Sequence, residues 1–213
     1  MTYKVQGIII GKRDHRDADR HFVLYTYEQG KIPVMAKSVR KIESKLSGNL
    51  ELLNHALFTI GKGRTLDRIA TVDVLGNFQM IKKNLYALSS ALYCFEIFDL
   101  FVKWEQRDES LFLLLVDFLE TLKKTPRTSG QKILAHLFLL KLSYLLGLYE
   151  AQPDLDEIHR QLFTGSLADC LERPLSTNAL EVGVNRFLTN HLDISPRSQA
   201  YFDLLSPKEN VTV

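Results

Sequence analysis

The first 80 residues alternate between short apolar runs and turn signals. Five runs rich in β-branched and aromatic residues are predicted strands, and they cover residues 5–10, 22–27, 32–36, 50–60 and 69–75. Gly30 supplies a turn between the second and third runs, and Gly61-Lys62-Gly63 separates the last two. Strands this short and this closely spaced predict a small all-β barrel or sandwich.

After Gly76 the apolar positions recur at helical spacing. The pattern predicts helices over residues 85–102, 111–122, 133–146, 180–192 and 200–205, with a loop-rich stretch at 150–175. Asp108 is a predicted cap of the second helix, Thr128 with Gln131 has capping-box spacing for the third, and Gly147 ends that helix. The predicted fold class is therefore α+β and multidomain, with a β-barrel domain at 1–80 followed by an all-α helical domain at 81–213.

The charge is unevenly distributed. The whole chain of 213 residues carries 27 Lys and Arg against 25 Asp and Glu, a net charge of +2. Residues 1–80 hold 13 basic and 8 acidic side chains, whereas residues 81–213 hold 14 and 17. This asymmetry indicates an anionic partner for the N-terminal part.

Several classes of protein are disfavoured. The two cysteines, Cys94 and Cys170, lie in no CxxC pair, which fits a reducing compartment, and the N-terminus does not resemble a signal peptide. The longest stretch without Asp, Glu, Lys or Arg, residues 84–95, is too short to cross a bilayer. No Walker A, GxGxxG, GxSxG or HExxH motif is present. We therefore expect a soluble, cytoplasmic, non-enzymatic protein.

A basic segment follows the third predicted strand. It carries Lys37, Arg40, Lys41 and Lys45, and this density of cations can neutralise backbone phosphates. The predicted surface extends to further cations at strand ends or in loops: Arg20, Lys31, Lys62, Arg64 and Arg68. The alternative is an ordinary solvated loop.

Two other N-terminal features have competing interpretations. Phe22, Tyr25 and Tyr27 could stack on bases, although the odd spacing of Phe22 and Tyr25 directs one of them to the core. Residues 14–21 gather carboxylates and imidazoles, but the interleaved arginines favour a polar connection between two strands over a metal site.

The predicted helices carry more apolar residues than one interface needs. An exposed groove that takes an acidic-hydrophobic peptide tail is one interpretation, and packing between domains is the other. The candidate groove residues are Phe98, Val102, Lys103, Arg107, Lys132 and Lys141. Cys94 and His136 lie on apolar helices and are predicted to be buried.

Several N-terminal motifs occur together and in order: Gly7-Ile8-Ile9-Ile10, Asp19-Arg20, Thr26, Glu28-Gln29-Gly30-Lys31-Ile32, Ala36-Lys37, Arg40-Lys41, Ser44-Lys45-Leu46-Ser47-Gly48-Asn49-Leu50 and Gly61-Lys62-Gly63-Arg64-Thr65-Leu66-Asp67. Together they give the chain a resemblance to the RecO family of bacterial recombination mediators. It implies an OB-fold joined to a helical domain, binding of single- and double-stranded DNA, and annealing of complementary strands. It also implies partnership with RecR and contact with the acidic tail of single-stranded-DNA-binding protein, so that RecA can be loaded.

The chain departs from the family at one point. Many RecO-like proteins carry a four-Cys zinc site after the third predicted helix. Residues 150–175 of this chain contain only one cysteine, Cys170, and one histidine, His159. We therefore predict that the chain holds no zinc and no other cofactor. Two further hypotheses remain open: a protein-interaction adaptor with weak nucleic-acid binding, and an RNA-binding OB protein.

Overall fold

The computed structural model describes residues 1–15, 18–40, 46–149, 165–172, 176–193 and 195–205. The chain forms two compact units that are each discontinuous in sequence. One consists of Met1–Phe78 and Asp99–Leu113, and the other of Gln79–Phe98 and Leu114–Val213.

The first unit is built on a closed five-stranded barrel. Its strands are β1 (Thr2–His15), β2 (Asp19–Thr26), β3 (Gly30–Ala36), β4 (His55–Gly61) and β5 (Asp67–Gly76). They follow one another around the barrel in the order β1-β2-β3-β5-β4, with β3 and β5 parallel and the other pairs antiparallel. The predicted OB-fold barrel followed by helices is confirmed.

Alternate strand residues fill the barrel. Phe22 and Leu24 of β2, Val34 of β3 and Phe58 of β4 are at most 1% exposed. Successive side chains of a strand point to opposite faces of the sheet, so these alternate residues all point into the barrel.

The predicted strand at 50–60 is wrong at its beginning, because β4 starts only at His55. Leu50 and Leu53 are buried in the turn before β4, and Leu53 adopts a positive φ of 70°. The Leu53 N–H donates to the Ile9 carbonyl at 3.0 Å. Leu50 and Leu53 are therefore buried without belonging to a strand, and periodicity alone does not distinguish the two cases.

The described helices are α1 (Gln79–Lys83), α2 (Leu85–Phe101), α3 (Glu109–Lys124), α4 (Thr128–Leu145), α5 (Leu167–Leu171), α6 (Thr177–His191) and α7 (Gln199–Leu205). Asp108 caps α3 as predicted, since its Oδ1 accepts the Leu111 N–H at 3.1 Å. Gly147 lies beyond the end of α4 with a φ of 71°, as a helix-ending glycine does. Among the described residues, no helix is both long and apolar enough to cross a membrane.

One prediction about a helix start needs correction, and one short helix was not predicted. The N-cap of α4 is Arg127, and no side chain caps that helix. The loop-rich stretch at 150–175 contains α5, which Ser166 and Asp169 open with a reciprocal capping box. The spacing of Ser166 and Asp169 was visible in the sequence, but five residues are too few to show a helical period.

The second unit packs around Phe138 of α4. Its ring lies 4.6 Å from that of Phe118 and 6.4 Å from that of Phe98, centroid to centroid. Cys94 is fully buried as predicted, and burial raises the pKa of its thiol well above the ordinary value. The thiol is therefore an inert part of the core.

The carboxylate of Glu96 on α2 anchors the start of α7. It accepts the backbone N–H groups of Arg197 and Ser198 at 2.9 and 2.8 Å, and also the Ser198 hydroxyl. Phe202 of α7 stacks on Tyr93 with ring centroids 4.4 Å apart. A carboxylate at the N-terminal end of a helix satisfies N–H groups that have no partner within the helix.

His136 on α4 is buried, as the sequence predicted, and it lies beside α7. It is 6% exposed, and its ring meets Phe202 edge-on at 6.1 Å. Burial, and to a lesser degree the nearby charge of Lys132, lowers the pKa of His136 to about 4. The imidazole is therefore neutral in the folded protein at neutral pH.

In the first unit, Lys31 ties the end of α2 and the segment that follows it to the barrel. Its ammonium is 2.8 Å from Oδ1 of Asp99 and donates to the Asp99 carbonyl at 2.6 Å. The same ammonium lies 4.3 Å from the ring centroid of Trp104, and the Lys31 carbonyl accepts the Glu105 N–H at 2.8 Å. Gly30, with a φ of 70°, leaves the space that this segment occupies.

We expect Gly30→Ala to destabilise the first unit. The left-handed backbone costs a β-carbon about 1–2 kcal/mol, and that carbon would lie 2.0 Å from the Gln106 carbonyl oxygen. The total expected loss is about 2–4 kcal/mol. Urea unfolding followed by the fluorescence of Trp104 measures it. Gly48→Ala is the matched control, since a β-carbon there meets nothing within 4 Å. Equal midpoints for the two variants would contradict this account.

We expect the stability of the second unit to fall as the pH drops from about 6.5 towards 4. The unfolded chain binds a proton on His136 near pH 6.5, whereas the folded chain does so only near its pKa of about 4. The loss between pH 7 and pH 5 should be about 2 kcal/mol. Urea unfolding followed by helical circular dichroism at both pH values measures it. In His136→Leu this difference should largely disappear, and a difference of unchanged size would exclude His136 as its source.

Candidate nucleic-acid interface

The strand register places several cationic residues at one end of the barrel. Arg20 at the start of β2 is paired with Ala36 at the end of β3, directly before Lys37. Arg68 at the start of β5 is paired with Met35 of β3. Lys37 and Arg68 are exposed and Arg20 is partly exposed.

The turn after β3 is fixed to this end of the barrel. Val39 is 2% exposed and belongs to the barrel core, so its neighbours are directed outwards. The Ser38 N–H donates to Oδ1 of Asp19 at 2.8 Å, and the Arg40 N–H donates to the Ala18 carbonyl at 3.1 Å. Lys37 and Arg40 are thus exposed cations on an anchored turn.

Two cations of the predicted basic segment, Lys41 and Lys45, lie outside the described residues. The described part of that segment therefore contributes Lys37 and Arg40. We name the described group Arg20, Lys37, Arg40 and Arg68 the strand-end cluster.

The predicted polar connection at residues 14–21 joins β1 to β2. Asp14 forms an ion pair with Arg20 at 2.7 Å and lies 3.7 Å from the guanidinium of Arg40. The hydrogen bond from Arg20 is the main reason why the pKa of Asp14 is lowered. His15 and His21 stack with ring centroids 4.2 Å apart. Burial, with the charges of His15 and Arg13, lowers the pKa of His21.

Sequence reasoning missed Lys12 and Arg13 as members of this surface. Both are exposed on the far part of β1, paired with Phe22 and His21 of β2. The polar run from Gly11 to His15 lies beyond the predicted strand at 5–10, and the prediction placed residues 14–21 in a connection. The available signal was charge complementarity, since Asp14 and Arg20 pair across the two strands.

The turn between β4 and β5 presents two more of the predicted cations. Arg64 is exposed, and the ammonium of Lys62 lies 3.0 Å from Oδ2 of Asp67 and 4.8 Å from the ring centroid of Tyr3. Asp67 also accepts the Tyr3 hydroxyl at 2.7 Å and the Gly63 N–H at 3.0 Å. Burial alone would raise the pKa of Asp67, but these hydrogen bonds outweigh it and lower the pKa. The turn is therefore held in one shape by the Asp67 carboxylate.

Lys31 does not belong to this surface, contrary to its prediction as a phosphate ligand. It is 5% exposed, and its ammonium is occupied by Asp99 and Trp104 within the first unit. The position of Lys31 beside a turn glycine predicted that its side chain is exposed. The long side chain instead reaches Asp99, almost 70 residues further along the chain.

Of the two interpretations of Phe22 and Tyr25, core packing holds for both residues and base stacking for neither. Phe22 points into the barrel and is 1% exposed. Tyr25 points away from the barrel interior, as the odd spacing requires, but it is 0% exposed and its hydroxyl donates to the Asp108 carbonyl at 3.4 Å. Tyr27 is partly buried, with its ring 5.6 Å from Phe112 and 5.3 Å from the Arg107 guanidinium.

The two apolar residues of the predicted groove do not line an exposed surface. Phe98 is 0% exposed and Val102 is 6% exposed, so both are core residues. Among the four predicted rim cations, Lys132 pairs with Glu181 at 3.1 Å and Lys141 donates to the Gly165 carbonyl at 2.7 Å. Lys103 and Arg107 are exposed. Helical spacing shows which residues share a face, but not what covers that face.

The described residues contain no group of three or more His, Cys, Asp or Glu that could hold a metal ion. Cys170 is buried in α5 and 2% exposed, while His159 lies outside the described residues. The described donors thus do not fit a zinc site, and the absence of zinc from the whole chain stays a prediction.

Comparison with known proteins identifies the family. Residues 1–78 match the family described as "Recombination protein O N terminal", and residues 82–208 match "Recombination protein O C terminal". A relative from Symbiobacterium thermophilum named DNA repair protein RecO is 31% identical over 145 residues, which is 68% of this chain and 56% of that protein. A relative of the same name from Dehalococcoides mccartyi is 37% identical over 120 residues, 56% of this chain and 47% of that protein.

A third relative with this name, from Listeria innocua, is 29% identical over 154 residues, 72% of this chain and 58% of that protein. The chain thus spans about half the length of the curated relatives that it matches. Because the two family matches cover both the barrel and the helical part, the resemblance seen in the sequence is confirmed: the chain belongs to the RecO family of DNA repair and recombination proteins.

Proposed function

We propose that this chain is a non-enzymatic mediator of DNA repair and homologous recombination that binds DNA through its barrel. Residues 1–80 would provide the nucleic-acid-binding domain and residues 81–213 a helical domain. The observation that carries the proposal is the strand-end cluster, which gathers Arg20, Lys37, Arg40 and Arg68 on the exposed end of an OB barrel. Such barrels bind oligonucleotides on one face and in the adjoining loops.

Phosphate contacts supply the affinity in this proposal. Lys37, Arg40 and Arg68 would bind successive phosphates, with Lys62 and Arg64 extending the surface beyond the β4–β5 turn. Lys41 and Lys45 of the basic segment, which lie outside the described residues, would add two further cations. Each neutralised phosphate releases condensed counterions, so the affinity does not depend on base sequence and falls steeply with salt. This fits a protein that must bind both single- and double-stranded DNA.

Strand annealing follows from the same surface. Two complementary strands repel one another, and a cationic surface that holds both lowers this repulsion and raises their local concentration. No nucleophile or proton transfer is needed for that effect.

The partners proposed from the family are RecR and the acidic tail of single-stranded-DNA-binding protein. Both would help to load RecA on coated single strands in the bacterial cytoplasm. Lys103 and Arg107 are the exposed cations proposed to contact the acidic tail. Calorimetry with an acidic, Phe-ended peptide tests this contact, and heats that are unchanged in a Lys103→Ala, Arg107→Ala variant would exclude these two residues.

We expect Lys37→Ala combined with Arg40→Ala to weaken binding of a labelled single strand. The dependence of log K on log salt should become shallower by about 1.4, which is roughly 0.7 for each lost contact. Fluorescence anisotropy over a series of salt concentrations measures it. Lys123→Ala with Lys124→Ala is the matched control, because it removes two exposed cations from the end of α3. A slope that changes as much in the control would remove the strand-end cluster from the site.

We further expect the chain to accelerate annealing of complementary oligonucleotides, and the Lys37→Ala, Arg40→Ala variant to lose most of this acceleration. Quenching between dyes on the two strands measures the rate. Peptide binding without salt-dependent DNA binding or annealing would favour an adaptor instead. Preferential competition by RNA would favour an RNA-binding OB protein.

A further inference from the structure

Asp14 contacts two arginines of the strand-end cluster, Arg20 and Arg40. Its Oδ1 accepts from Nε of Arg20 at 2.7 Å, and its Oδ2 lies 3.7 Å from Arg40. The side chains are 52% exposed for Asp14, 25% for Arg20 and 40% for Arg40. One carboxylate thus faces two guanidinium groups at an open surface of the barrel.

A carboxylate and a phosphate compete for the same donors. Both present oxygens that bear negative charge, and a guanidinium binds either of them through the same N–H groups. The ion pairs of Asp14 are solvent-exposed, so each is weak and can exchange with an anion from solution. A polymer that binds here must therefore displace Asp14 or accept its repulsion.

We propose that Asp14 is a built-in counter-anion that competes with nucleic-acid phosphates for Arg20 and Arg40, and thereby limits affinity and its salt dependence. This inference rests on the proposed function, because it concerns the same surface. Its consequence is a moderate affinity for DNA, which suits a protein that, under the proposed function, releases annealed strands and transfers the DNA.

The neighbours of Asp14 keep its carboxylate negatively charged, as a permanent competitor of phosphate groups must be. Arg20 foremost, and also Arg40 and Lys12, lower the pKa of Asp14, so the carboxylate is ionised throughout the physiological pH range. Asp19, on the adjoining strand, differs in role: its Oδ1 accepts the Ser38 N–H and fixes the turn after β3. The contacts of the Asp14 carboxylate within the described residues are instead to the side chains of Arg20 and Arg40.

The test is Asp14→Asn, which keeps the size of the side chain and removes its charge. We expect the affinity for a labelled oligothymidylate to rise roughly fivefold at about 0.1 M salt, and the salt slope to steepen by about 0.7. Asp73→Asn is the matched control, since Asp73 is exposed on β5 and the change of net charge is identical. The control should change the affinity by less than about twofold.

A second variant separates the arginine contacts from a general field effect. In the background Arg20→Gln with Arg40→Gln, Asp14→Asn should give no more than the gain seen for Asp73→Asn, because this background removes both guanidinium groups that Asp14 contacts within the described residues. An equal gain in both backgrounds would overturn the proposal, as would an affinity that is unchanged or lower in Asp14→Asn alone.

The two proposals fail in different ways. If the wild-type chain shows no salt-dependent binding of the oligonucleotide, the proposed function and this inference are both overturned. If the wild-type chain binds and the Lys37→Ala, Arg40→Ala variant loses affinity, but Asp14→Asn gains none, then only the role of Asp14 is overturned.

Discussion

The antiparallel register of β1, β2 and β3 is the constraint on which the candidate interface depends. Asp14 is paired with Arg20, and Arg20 with Ala36, so the end of β1, the start of β2 and the end of β3 meet at one place. Pairing with period two leaves little freedom in this arrangement, because a slip of one residue would turn the core residues of β2 outwards. Burial of Phe22 and Leu24 therefore fixes where the cations lie.

Within the first unit, cations have two distinct uses. Lys31 is buried and joins the start of β3 to the segment from Asp99 to Trp104, where it contributes to structure. Lys37, six residues later on the chain, is exposed beyond the end of the same strand. A charge count for residues 1–80 treats both alike. The cations available to a polyanion are fewer than that count, and Asp14 further reduces their effective charge.

Local patterns in the sequence predicted the strands of the barrel, most of the longer helices and the basic turn after β3, because residues close together in the chain carry the strand and helix periods and the charge. They did not predict what packs on an element from far away. The parity argument placed Phe22 and Tyr25 on opposite faces, which is correct, but Tyr25 is covered by the segment containing Asp108. Phe98 and Val102 show the same limit, since an apolar face at helical spacing is compatible with a groove and with a core. The polar end of β1 was missed because ion pairs across two strands leave no apolar alternation.

The most direct test of the central claim is a titration of the ¹⁵N-labelled protein with a short oligothymidylate, followed by NMR of backbone amides and arginine side chains. The account predicts that the largest shifts occur at the Nε signals of Arg20 and Arg40 and at the amides around Lys37 and Arg68. Smaller shifts are expected in the β4–β5 turn. Shifts confined to residues of the helical unit, with the barrel signals unchanged, would contradict it.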